Sequence, residues 1–389
     1  MNIRKVISSA VLSILFGIFL VPQDLFSIPA FARKYKVSCT TCHTVFPRLK
    51  DYGDEFAGNG FIIPEKDDKR SQITAGDDLL WLNKDFPLAA RMDLFAAHDQ
   101  SKDVKNDLQI PWGIKLLSGG TLYKNIGYYF YFYMSERGEV AGVEDAYIHF
   151  DNVFGTDLDI MAGQFQTSDP MMKRELRLTY DDYMIYTTRI GQSRVNLAYD
   201  RGVMLVYGIE KTGTDIVGMI VNGNGKPEAV NRRLDQDNYK NIGLRVNQSI
   251  GDFLSVGGFF YTGKEELPDS GVTNKVTYFG PDFSAGLGPV DITAQYLYRE
   301  DSNPYFLQSD LKNETTGYVV EVIYAPDLER SRWYFTGLYN SIDSDNFKYQ
   351  TATFSFTYLV ARNLRLLTEY TRDLEMDKNR IVLGVISAF

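Results

Sequence analysis

Cys39 and Cys42 are the only cysteines of the chain, and His43 follows them directly in the run Ser38-CTTCH-Thr44. Two thiols three positions apart on one helical turn can each form a thioether with a vinyl group of a haem. The adjacent imidazole then meets the iron from one side, which is the attachment pattern of one haem c per chain. A structural disulfide or a thioredoxin-like redox pair would need no following histidine, and no βαβ pattern surrounds the motif.

The opposite side of such an iron has no local ligand. Between Arg33 and Arg91 there is no methionine and no second histidine. The distal candidates are His149, Met161, Met171 and Met172, or no protein group at all. His149 shares parity with Asp145 and Tyr147, opposite Ala146, Ile148 and Phe150, so it should face a polar interior. His98 falls with Met92, Leu94 and Ala96, the apolar set, unless it lies beyond the membrane at a strand end. A thioether ligand would raise the haem potential, although methionine more often fills gaps in packing.

Positioning this motif requires more than its own segment. Residues 1–27 carry two early positive charges and an apolar run from Val6 to Val21, which reads as a secretory signal. Cleavage is expected after Ser27, with a second option just before Arg33. Export suits covalent haem attachment outside the cytoplasm. Residues 28–75 form a small haem-bearing helical segment. Phe46, Leu49 and Phe56 recur at near-helical spacing, Pro47 suits a first helical turn, and Asn59-Gly60 suits a stop. A unit this small cannot wall off a haem by itself, so residues 76–389 must supply the rest.

That remainder is rich in Tyr (26 in the chain) and Phe (25), yet mean hydropathy is only −0.23, which excludes a bundle of apolar spanning helices. Ala352, Phe354, Phe356 and Tyr358 share one parity, and Thr351, Thr353, Ser355 and Thr357 the other. This is lipid-out, lumen-in patterning. Ile292, Ala294, Tyr296 and Tyr298 oppose Asp291, Thr293, Gln295 and Arg299 in the same way, as Leu364, Leu366 and Tyr370 oppose Arg365, Glu369 and Asp373. Short turns at 123–125, 211–213, 249–252, 285–288 and 360–363 alternate with longer polar connections around 222–237, 263–273 and 300–313. The fold class is therefore mainly β, a transmembrane antiparallel β-barrel of about sixteen strands. The last strand keeps Ile381, Leu383, Val385 and Phe389 on one parity and ends on an aromatic residue. One connection, between Gln166 and Arg201, is too long to be routine, and its mixed Arg, Asp and Glu content suits a loop folded into a polar lumen.

The run IPAFARKYKVSCTTCHTVFPRLKDYGDEFAGNGF resembles the N-terminal segment of the fused cytochrome-porin family of outer-membrane iron oxidases, and VEDAYIHF and MAGQFQTSDPMMKREL are similar to later segments of that family and of phosphate-selective porins. The resemblance implies an iron(II):cytochrome c oxidoreductase in the outer-membrane lipid. Extracellular Fe(II) would give an electron at one haem held by Cys39, Cys42 and His43, and a periplasmic c-type cytochrome would receive it. The haem would sit on the periplasmic side or inside the barrel. Two other readings stay open: outward delivery of electrons to a metal, and a porin for anions or small solutes with a haem-bearing plug. Carboxylates at Glu265, Glu266 and Asp269, at Asp343 and Asp345, and at Asp373, Glu375 and Asp377 offer oxygen ligands but no ligand spacing, and read as solvated loop charge. A formal net charge of −9 argues against a nucleic-acid partner.

Overall fold

The computed structural model describes residues 30–389 apart from 64–71 and positions 74, 85, 138, 141, 269 and 310. The expected leader and Asp269 lie outside the described residues. A two-stranded ribbon, β1 (Gln72–Ile73) and β2 (Leu82–Asn83), precedes the main sheet. The first eight long strands are β3 (Leu88–Asp99), β4 (Asn106–Tyr123), β5 (Ile126–Glu136), β6 (Val143–Phe150), β7 (Leu158–Phe165), β8 (Asp200–Ile209), β9 (Thr214–Val221) and β10 (Asn241–Ile250). The second eight are β11 (Leu254–Glu266), β12 (Thr273–Leu287), β13 (Val290–Asp301), β14 (Asn313–Tyr324), β15 (Trp333–Ser344), β16 (Phe347–Ala361), β17 (Leu364–Asp373) and β18 (Lys378–Ala388).

Strands β3 to β18 pair antiparallel in sequence order, and β18 pairs with β3 to close a sixteen-stranded barrel. Closure satisfies every strand edge, the condition under which a sheet can cross a bilayer. The parity read from sequence holds: on β16, Phe354 is 52 % exposed while Ser355 is 1 % exposed. Leu366 and Tyr370 face outward on β17, and Arg365 and Glu369 are buried inside. Trp333, Tyr324 and Phe356 gather on the outer face near the short-turn end of β14 to β16, as an aromatic interface belt does. Among the described residues no helix is long and apolar enough to cross a membrane. The crossing is made by strands.

The turns expected at 123–125, 211–213, 249–252, 285–288 and 360–363 lie at one end of the barrel, the periplasmic end in outer-membrane barrels, and the opposite end carries the long connections together with two short ones, 345–346 and 374–377. Three small helices, α1 (Ala30–Tyr35), α2 (Cys39–Cys42) and α3 (Asp51–Gly58), are packed there. The expected stop is present, with Asn59 capping α3 and Gly60 at φ +64°. Pro47, expected in the first turn of that helix, instead lies in the loop between His43 and Leu49, which pair as an isolated bridge.

Candidate functional site

Ser38 caps α2, its Oγ accepting a hydrogen bond from the Thr40 N–H at 3.3 Å, and so places Cys39 and Cys42 on a single turn. Both thiols are unbridged. Burial pushes both above the ordinary cysteine value, the opposite of the depressed thiol of a redox-active pair. His43 ends the turn with its N–H donating to Cys39 O at 2.9 Å. Its ring Nδ1 lies 2.9 Å from Pro47 O and 3.2 Å from Arg48 O. A backbone carbonyl on Nδ1 fixes the tautomer and ring orientation of a ligating imidazole and leaves Nε2 for the metal. Nε2 has no protein partner among the described residues. Burial holds the imidazole below the ordinary histidine value, so the neutral ligand form prevails.

Cys39, Cys42 and His43 open into a cavity of about 1450 Å³ of empty space, partly continuous with solvent. Phe31, Phe46, Phe56 and Phe61 wall one side, and Tyr129, Tyr131 and Tyr147 of the barrel wall the other. Apolar walls, paired free thiols and an oriented imidazole together fit a haem c.

The barrel is shaped to receive this segment. A Cβ at Gly127 of β5 would stand 2.3 Å from Gly60 O, and one at Gly119 of β4 would stand 3.0 Å from Phe31 Cζ. Within the segment, a Cβ at Gly53 would lie 2.1 Å from Cys42 O, so α3 can rest on α2 only through glycine. Across the lumen, Arg48 pairs with the fully buried Glu321 of β14 at 3.4 Å and donates to Thr293 Oγ1 at 3.2 Å. Arg365 and Tyr334 both donate to Phe46 O, at 3.2 and 3.3 Å. Contacts on β4, β5, β13, β14, β15 and β17 mean that the segment sits inside the periplasmic mouth as a plug.

The long connection between β7 and β8 folds inward, as its composition led us to expect. Its helix α4 (Met184–Thr187) packs against β14 and β15, with Tyr183 donating to Glu321 Oε1 at 2.7 Å. Asp181 holds Arg380 at 2.8 Å, and Glu369 accepts from the Tyr180 and Asp181 N–H groups. Tyr183, Tyr186 and Leu197 join Val217, Tyr261, Val319 and Leu338 of the wall in one apolar core that fills part of the lumen. At the edge of the cavity the loop presents Glu175, which accepts from Tyr131, Tyr133 and Tyr199 at 3.1–3.2 Å. Burial alone would raise this carboxyl, but Lys115, Arg177 and Arg174 hold it well below the usual range. Asp169 has less compensation, and burial pushes it up to about 6.

No family model matches the chain, and no curated protein is similar to it in sequence. Solved structures share the fold. The anion-selective porin from Comamonas acidovorans superposes with a TM-score of 0.57 at 10 % identity, over 78 % of this chain and 99 % of that porin. OmpT of Vibrio cholerae, as a trimer, gives 0.56 at 12 % identity over 78 % and 99 %. The outer membrane channel DcaP of Acinetobacter baumannii gives 0.55 at 16 % identity over 78 % and 97 %. The fold is that of a bacterial outer-membrane porin. Each of the three leaves about a fifth of this chain unmatched.

Within the porin barrel the candidate distal ligands are scattered. His149 faces inward near the periplasmic end of β6 as its parity implied, but it packs against Gly60 rather than lining the cavity. Met161 pairs with it across β7, and Met171 and Met172 pack against or within the lumen core. None of the four contributes to the lining around His43. His98 lies at the long-loop end of β3, its Nδ1 2.7 Å from Asn106 Oδ1. Glu265 is not solvated loop charge: it is buried and accepts from Arg194 N at 3.0 Å and Asn274 Nδ2 at 3.1 Å, because the inward loop covers it. Asp343 and Asp377 are spent on Lys348 and Arg372. Sequence reasoning missed Arg48, Glu321 and Gly53, and no local pattern marks them.

Proposed function

We propose that this outer-membrane barrel is an electron conduit in which Cys39 and Cys42 hold one haem c and His43 is its axial ligand. Extracellular Fe(II) is the donor substrate and a periplasmic c-type cytochrome the acceptor. The observation that carries the reading is His43, whose Nδ1 is committed to Pro47 O while Nε2 is left to a large aromatic cavity. A haem bound there supplies one-electron exchange at the periplasmic mouth.

The residues of the chain do the rest. Cys39 and Cys42 fix the position of the group covalently, and the Pro47 carbonyl orients the His43 ring. Phe31, Phe46, Phe56 and Phe61 give the cavity an apolar wall against which a haem face can pack. Arg48 and Arg365 clamp the segment to the wall through Glu321 and Phe46 O. The charged end of the cavity, with Glu175 among Lys115, Arg177 and Arg174, is a preorganised field beside the electron site. The choice of Fe(II) rests on the resemblance of the CTTCH segment to iron-oxidising cytochrome-porins.

A second reading, a porin for anions or small solutes with a haem-bearing plug, is favoured by the fold shared with the Comamonas acidovorans anion-selective porin. The plug and the filled lumen core weigh against free solute passage. One experiment separates the two. Oxidised full-length protein is mixed anaerobically with Fe(II) while the haem absorption is followed, and the same preparation is tested for solute flux in vesicles. Reduction by Fe(II) with low flux is expected. No spectral change across a range of pH, together with free passage of phosphate or sugars, would sink the conduit in favour of the porin.

A further inference from the structure

At the periplasmic end of the wall, the connection from β6 to β7 brings together three side chains that the proposed conduit does not use. His149 is the last inward residue of β6, Asp151 follows that strand, and Asp159 is the second residue of β7. One ligand atom from each lies within 4.8 Å of those of the other two. His149 is 2 % exposed, and neither of its ring nitrogens has a hydrogen-bond partner. Asp151 Oδ1 is also buried without a partner. Unpaired polar atoms converging in one buried place are rare in native structures and call for an occupant.

The partners that are present leave one side of the cluster open. Asn152 donates through its Nδ2 to Asp151 Oδ2 and through its backbone N–H to Asp159 Oδ1, both at 2.8 Å. Each carboxylate is thereby oriented by one oxygen, as metal-ligating carboxylates are. A neutral imidazole with two carboxylates matches a divalent cation in charge. The imidazole selects a borderline ion of the zinc class over calcium or magnesium, which take oxygen sets. Bonds of about 2.1 Å need ligand atoms about 3.4 Å apart in a tetrahedral site, a contraction that side-chain rotation can provide.

We propose that His149, Asp151 and Asp159 form a site for one divalent transition-metal ion, with a fourth position left to water. Gly60 stands directly on the His149 ring, so the ion braces the β6–β7 hairpin where the N-terminal segment turns against the wall. This inference is independent of the conduit reading.

Full-length protein in detergent, stripped with chelator, is dialysed against Zn²⁺ over a concentration series in excess Mg²⁺, and bound zinc is measured per chain. One saturable Zn²⁺ is expected. His149→Ala and Asp159→Asn should each weaken it roughly a hundredfold, and His98→Ala should leave it unchanged. X-ray absorption of the zinc-loaded wild type is the second readout, expected to show nitrogen and oxygen neighbours including one imidazole. That spectrum decides the matter if a variant fails to fold. Absence of stoichiometric uptake, uptake unaffected by both substitutions, or a sulfur shell from Cys39 and Cys42 would overturn the site.

Discussion

Replacing Arg48 by Met tests whether the N-terminal segment is a seated plug. Arg48 places its guanidinium 3.4 Å from Glu321, whose side chain is almost completely buried. The same carboxylate already accepts from Tyr183, and its Oε2 has no hydrogen-bond partner besides the ion-pair contact with Arg48. Removing one partner of a buried pair strands the other charge, at a cost of about 3–5 kcal/mol. Arg48 keeps one-fifth of its side chain exposed, so the lower end, about 3 kcal/mol, is appropriate. At 1.36 kcal/mol per tenfold, the unseated population rises on the order of a hundredfold. Two bonds to Phe46 O remain on the segment, and the barrel itself stays closed by its strand pairing. The assay pairs single-channel conductance in planar bilayers with trypsin cleavage within residues 33–50. Arg48→Met should show longer open dwell times and faster cleavage. Adding Glu321→Leu removes the stranded charge and should recover most of the loss, short by about 1 kcal/mol for the Tyr183 hydroxyl left without its acceptor. Conductance and cleavage within twofold of wild type in the single variant would refute the seating.

Gly53→Ala should prevent α3 from resting on Cys42 O and reduce covalent haem content, while the barrel keeps its heat-modifiable mobility on gels. Gly58→Ala is the matched control: nothing lies within 4 Å of its Cβ, so haem content should stay at the wild-type level. Asp169→Asn addresses pH. Burial raises the carboxyl from 3.8 to about 6, so the folded loop binds the proton more tightly than the unfolded chain does, and its stability falls as pH rises from about 4 to about 6. The difference in thermal stability between wild type and Asp169→Asn should therefore change across that window and be flat above it. A difference independent of pH would show that Asp169 titrates normally.

The barrel was legible because it separates two environments along every strand: Thr351 to Tyr358 alternate between lumen and lipid, and parity survives any uncertainty in strand ends. The CTTCH motif was legible because its chemistry is local to five residues. The seating was not. Arg48 meets Thr293 across 245 positions and Phe46 O meets Arg365 across 319, and neither side of either contact carries a pattern of its own. Pro47 showed a helix-start preference, but the carbonyl it presents to His43 depends on the loop that the His43–Leu49 bridge closes. Glu265 looked like surface charge because an inward loop seventy residues earlier covers it, which composition hinted at without giving a target.

The closing seam between β18 and β3 forms one border of the cavity that holds the thiols. Ala90 and Phe389 exchange backbone hydrogen bonds at its periplasmic end, and Ala89, Ala90 and Ala388 border the cavity into which both thiols open. That side of the cavity is walled only once β18 pairs with β3, so an unclosed sheet leaves Cys39 and Cys42 more accessible than the closed barrel does. Under the proposed haem attachment, modification of Cys39 and Cys42 is therefore expected to be faster on a chain whose seam is still open than on the closed barrel.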